Sequence, residues 1–137
     1  MSKVLQATQA IYAAFGQGDI PRLMEFLAED VGWEHWENNS AQAAGVAWLS
    51  RKTGKAAVGE FFAAVAGMRI HEFQVLGMMA SETQVAVEVA IELTTQGGNR
   101  FRDEELHLWS FDSHGKVVRL RHYVDTAKHI EAASAAQ

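Results

Sequence analysis

At 137 residues, with 48% apolar and 21% charged side chains and a single proline, the chain has the makeup of one ordinary globular domain. Its net charge of −5 and its lack of any Lys/Arg run exclude a counterion-release surface, so no nucleic-acid partner is expected. The absence of cysteine removes disulfides, thiolate metal sites and thiol nucleophiles from consideration.

In chain order, Val4, Thr8, Ile11, Tyr12 and Phe15 recur at the spacing of one helical face, and Gly16 and Gly18 stop that helix. Asp19 can cap a second, short helix that has Pro21 in its first turn, buries Leu23, Phe26 and Leu27, and ends near Asp30. Val31, Trp33 and His35 alternate with Gly32, Glu34 and Trp36 as a strand, which leads into a polar loop from Glu37 to Gln42. Thr53 can cap a third helix, in which Val58, Phe61, Phe62 and Val65 repeat before Gly67.

The remainder reads as four strands, Ile70 to Met79, Val85 to Thr95, Arg100 to Phe111 and Lys116 to Thr126, separated by turn-forming residues. An Ala-rich tail, 127–137, is expected to fray or to add one terminal turn of helix. Early helices followed by consecutive hairpins make an α+β domain, a single one over 1–137. The N-terminus has no secretory apolar region and no segment approaches the ~20 apolar residues of a membrane span, so a cytoplasmic protein without membrane partners is expected.

Strand periodicity assigns the faces. Val85, Val87, Val89, Ile91 and Leu93 point to a core. If Asp112 to Gly115 forms a four-residue hairpin loop, Phe111 pairs with Lys116. Glu105 then stands opposite His122, His107 opposite Leu120, and Trp109 opposite Val118. That register puts Glu105, His107, Trp109, Leu120, His122 and Val124 on the interior face. Arg119, Arg121, Tyr123 and Asp125 fall on the outer face, where ion pairs or a subunit contact are expected. Ionisable groups in an apolar concavity must either satisfy one another or meet a ligand.

Several segments carry a resemblance: Ile11-Tyr12-Ala13-Ala14-Phe15 before Gly18-Asp19, Leu27-Ala28-Glu29-Asp30-Val31, and Gly54-Lys55-Ala56-Ala57-Val58 with Phe61-Phe62. His107-Leu108-Trp109-Ser110-Phe111, Gly115-Lys116-Val117-Val118 and Tyr123-Val124-Asp125 add to it. In this order and spacing the chain resembles the nuclear-transport-factor-2-like superfamily, and within it SnoaL-like and ketosteroid-isomerase-like proteins. The resemblance implies a cone-shaped, curved antiparallel sheet wrapped by three helices around a pocket. Members range from isomerases, cyclases, dehydratases and hydrolases to non-catalytic domains, so the fold leaves the chemistry open.

The steroid-isomerase machinery uses an Asp base with Tyr and protonated Asp donors. Carried onto this chain, the oxyanion tyrosine position falls on Ile11, beside Tyr12, the base position on His35, and the oxyanion aspartate position on His107. None of the three residues is kept, and steroid isomerisation by that machinery is rejected. Histidine at two of the positions still offers acid/base chemistry near neutral pH.

His35 and His107 are therefore the candidate catalytic residues. Tyr12, Trp33, Glu105, Trp109, Leu120, His122 and Val124 are the candidate pocket, with no cofactor required. The expected activity is cofactor-independent isomerisation, cyclisation, dehydration or hydrolysis of a small apolar organic molecule. The alternative is a non-catalytic ligand-binding or dimeric interaction domain, and a homodimer is expected in either case. A metal held by the three histidines and a carboxylate is a weaker reading, because their spacing matches no ligand motif.

Overall fold

Helix α1 (Lys3–Gly16) starts where the Ser2 hydroxyl accepts the Leu5 N–H, and it buries Val4, Thr8, Ile11 and Ala14. The computed structural model describes residues 2–36 and 38–134. Asp19 caps α2 (Ile20–Met24) through the Arg22 N–H, with Pro21 in the first turn. This helix ends earlier than the sequence suggests. Leu27–Asp30 already belong to strand β1 (Leu27–Trp33), whose Leu27 and Val31 enter the core.

The predicted polar loop holds a short helix α3 (Ser40–Ala43), capped by Asn39, followed by a 3-10 turn at Ala47–Leu49. Thr53 lies in the two-residue strand β2 (Lys52–Thr53), so it does not cap the third predicted helix; α4 (Lys55–Ala66) begins from Gly54. Then come β3 (Arg69–Ala80), β4 (Gln84–Thr94), β5 (Arg100–Phe111) and β6 (Val117–Tyr123). The tail does not fray from residue 127: Asp125 caps an ordered helix α5 (Thr126–Ala133) that buries His129 and Ala132. Glu37 of the predicted loop and 135–137 of the predicted tail lie outside the described residues.

One six-stranded curved sheet, in the order β2-β1-β6-β5-β4-β3, organises the chain. Its pairs are antiparallel except β1 with β6, which run parallel. Residues of α1, α2 and α4 pack on its inner face and enclose Ile11, Leu23, Val31, Val58, Val87 and Leu120. Each such side chain, fully buried, contributes roughly 1.5–3 kcal/mol. Among the described residues no helix is long and apolar enough to cross a membrane.

The β5–β6 register differs from the predicted one by two compensating steps. Phe111 meets Val117 and not Lys116, so the loop is one residue longer; Ser110 meets Arg119, so Val118 is bulged out. Either step alone would turn the side chains of β6 to the other face. Together they restore the predicted faces but move the partners: Trp109 pairs with Leu120, and His107 pairs with His122.

Gly54, at φ 91° and ψ 154°, joins β2 to α4 in a region of backbone space almost reserved for glycine. A methyl group there would make only ordinary contact with the Glu29 carbonyl, 3.5 Å away, so any penalty is conformational. Gly54→Ala should lower the unfolding free energy by about 1–3 kcal/mol in urea titration. An unchanged midpoint would contradict that reading of the turn.

Candidate functional site

The concave side of β5 and β6 carries a buried polar network. Asp103, Glu105, His107 and Trp109 alternate inward along β5, and Leu120 and His122 do so along β6. The directions of the hydrogen bonds follow from the indoles, which can only donate. Trp109 Nε1–H donates to the Tyr12 hydroxyl (3.0 Å), whose own proton then goes to His107 Nδ1 (2.6 Å). His107 consequently carries its proton on Nε2 and donates it to Glu105 Oε1 (3.1 Å).

The second Glu105 oxygen accepts from His129 Nε2 on α5 (2.9 Å), which also lies 2.9 Å from Asp103 Oδ2. Burial raises the Glu105 pKa, but the hydrogen bonds from His107 and His129 outweigh it and bring it down to about 2. Glu105 is thus a buried but ionised carboxylate. Tyr12 moves the other way: burial pushes its phenol above the ordinary range, so it stays a donor. At His129 burial opposes the charge, while hydrogen bonds to Asp103 and Glu105 prevail and raise the pKa to about 9. The Trp48 indole, 2.9 Å from His129 Nδ1, pulls in the opposite direction, since its N–H needs a lone pair there.

His122 is held differently. Its Nδ1 contacts Glu34 Oε1, while Trp36 Nε1–H donates to Glu34 Oε2 (3.3 Å). Glu34 thus accepts on both oxygens, so the His122 proton sits on Nδ1. His122 Nε2 has no hydrogen-bond partner among the described residues and is not sealed from the cavity. Burial first, then the charge of His129, hold the His122 pKa down to about 3, so the ring is neutral at neutral pH and Nε2 presents a lone pair. The His107 and His122 imidazoles face each other edge to face, with ring centroids 4.5 Å apart.

Two chambers flank this pair. The outer one, about 90 Å³, is bounded by Trp48, Leu49, Ile91, Glu105, Val124 and His129 among others. The inner one, about 70 Å³, is bounded by Ile11, Tyr12, Leu23, Trp33, Trp109 and Leu120. Phe15, Phe61, Phe73, His107 and His122 line both. Each volume exceeds the ~10–15 Å³ that a single water requires. Trp33 Nε1 is a buried side-chain nitrogen without a hydrogen-bond partner among the described residues; its ring stands edge-on to Trp109 and Phe62.

The structure thus gathers Tyr12, Trp33, Glu105, His107, Trp109, Leu120, His122 and Val124 around the chambers, but not His35. The strand alternation breaks at Glu34, whose left-handed backbone (φ 62°) sends its own side chain inward next to Trp33. His35 is left on the outer side. Its ring folds over Gly32, where a Cβ would come within 2.5 Å of Nδ1, and its Nε2 meets the Thr53 hydroxyl at 2.9 Å. Burial and then the Arg51 charge lower its pKa.

With His35 outside, the three-histidine ligand set is not assembled. Asp103, Glu105 and His129 are the group among the described residues whose donor atoms all lie within 4.8 Å of one another, but the His129 N–H bonds already account for that convergence. Asp125 is also not mere outer-face decoration: it caps α5, and its N–H donates to Asp103 Oδ2 (3.2 Å).

Three participants were missed by sequence reasoning. Asp103 shares the parity of Glu105 and His107, so strand alternation could have found it. His129 was set aside with the tail, although Asp125-Thr126 is a capping signal. Glu34 leaves no trace, because a left-handed glutamate is not written in residue type.

A family model described as a SnoaL-like domain matches residues 8–120. Among solved structures, an NTF2-like protein of unknown function from Burkholderia pseudomallei is 25% identical, with 98% of this chain and 100% of that one covered and a TM-score of 0.82. TerC, co-crystallised with polyporic acid, is 26% identical over 96% of this chain and 98% of its own, with a TM-score of 0.76. A computationally designed 17-OHP binder shares the fold at 20% identity, with coverage of 93% and 97% and a TM-score of 0.72. No curated protein matches the chain.

The depressed His122 pKa makes stability acid-sensitive. The unfolded ring, titrating near ~6.5, takes a proton that the folded ring refuses until about pH 3, so stability falls as pH drops through that window. Between pH 7 and pH 5 the loss measured by urea unfolding should be about 2 kcal/mol smaller in His122→Gln than in the wild type. Equal losses in the two proteins would contradict a neutral buried His122.

Proposed function

The chain belongs to the SnoaL-like family, and we propose that it binds a small, mostly apolar organic molecule and moves a proton on it with His122 Nε2 as the base. One observation carries this reading: in a network whose other inward imidazoles are hydrogen-bonded at both nitrogens, His122, which lines both chambers, alone has a nitrogen without a partner among the described residues. Burial makes His122 a weak base, and Glu34 opposes this: it fixes the tautomer and stabilises the positive charge that the ring gains when it takes the proton. His107 and Glu105 set the polarity of the same wall, from the neighbouring strand. The reaction class is a cofactor-independent isomerisation, cyclisation, dehydration or hydrolysis. Small ligands named for two structural relatives, polyporic acid and 17-OHP, support the ligand class.

Full engagement of His107 favours the second reading, a ligand-binding domain without chemistry, because among the described inward imidazoles it leaves no second free nitrogen for a step that needs a separate acid. In either case the exposed Leu76 and Met79 of β3 and Leu106 of β5 support a homodimer formed over the outer sheet face.

Exchange of the α-protons of 2-butanone in D2O, followed by NMR, tests the base. The wild type should accelerate exchange on the order of 10²-fold over His122→Gln, and His35→Gln should behave as the wild type. Equal rates in wild type and His122→Gln would refute the proton-transfer reading and leave the binding one.

A further inference from the structure

We infer that the ligand is an amphiphile: a compact polar head reaches His122 in the chambers, and an extended apolar tail lies outside in a groove between the C-terminal ends of α1 and α4 and the start of β3. The inference rests on the proposed ligand site at His122 and adds to it the part of the molecule that no chamber can hold.

The groove and the outer chamber are one continuous surface. Phe15, Val65, Met68, Ile70 and Phe73 line both. From there the groove runs past Ile20, Phe62 and Ala66 and along Gly16 and Gly18. None of its ten lining residues carries a polar or charged side chain, on a chain in which 21% of residues are charged. An apolar strip of this kind that opens to solvent marks a binding surface more often than chance surface composition.

Two details fit a narrow, flexible occupant. A Cβ built on Gly16 or Gly18 meets nothing within 4 Å, so the groove beside the end of α1 is open. Ile70 is 42% exposed at the first turn of β3, although it also lines the outer chamber, so it stands at the threshold between the two. The chambers, about 90 and 70 Å³, hold the polar side chains of the system: Glu105 and His129 in the outer one, Tyr12 in the inner one, and His107 and His122 in both. The path therefore passes from an apolar groove to chambers that carry all the polar groups. A ligand that follows the path must match it.

A series of straight-chain methyl ketones, 2-butanone to 2-dodecanone, tests the groove through quenching of tryptophan fluorescence. Affinity should rise about fourfold per methylene through the long members. Ile70→Glu should flatten that rise from 2-octanone onward. A flat series in the wild type, as expected if a second copy of the chain covers the groove, would overturn the inference, and so would an equal rise in wild type and Ile70→Glu. The slope with chain length is independent of proton transfer, so loss of 2-butanone exchange with a retained slope removes the base and keeps the amphiphile, and the converse removes the amphiphile alone.

Discussion

A carboxylate as buried as Glu105 keeps its charge in an apolar interior only if donors occupy both of its oxygens. His107 comes to one oxygen from the same strand, and His129 comes to the other from the C-terminal helix. Each histidine is fixed in turn by an aromatic donor on its far side: Tyr12 of α1, itself held by Trp109, and Trp48 of the 3-10 turn. Elements far apart in sequence are tied to one point by this chain of dependence. The same chain engages both nitrogens of His107 and leaves its cross-strand neighbour His122 with one nitrogen unengaged among the described residues.

His122 stands outside that chain of bonds, although it shares the cavity. Glu34 supports it from β1, the strand that runs parallel to β6, and reaches it because the Glu34 backbone adopts a left-handed conformation. Such a conformation costs a non-glycine residue on the order of 1–3 kcal/mol and persists only where the surroundings impose it. Here it exchanges the expected inward histidine for a carboxylate aimed at an imidazole. The carboxylate that results, which orients His122, sits next to the position where the steroid-isomerase pattern places its base.

The sheet was legible because periodicity is strong where one face is buried. The alternation of Val85, Val87 and Val89, and of Glu105, His107 and Trp109, assigns faces that the structure keeps. Partners were less legible. A longer loop and a bulge at Val118 cancel in parity, so face assignment survived while every cross-strand partner moved. The first two helices and α4 followed from spacing and caps, but the end of α2 did not, since Leu27 suits a helix stripe and a buried strand alike. Alanine-rich composition hid α5, whose value lies in one buried histidine and not in its helix propensity. The left-handed Glu34 had no sequence signal at all, and it is the residue that separates His35 from the site.

All of this depends on the state of one ring. Long-range ¹H–¹⁵N correlation spectra of the six histidines at neutral pH report the proton on each nitrogen directly. The account predicts a neutral His122 with its proton on Nδ1 and a bare Nε2, beside a His107 whose Nε2 carries the proton it donates to Glu105. A His122 imidazolium, or a His122 that carries its proton on Nε2, would contradict it.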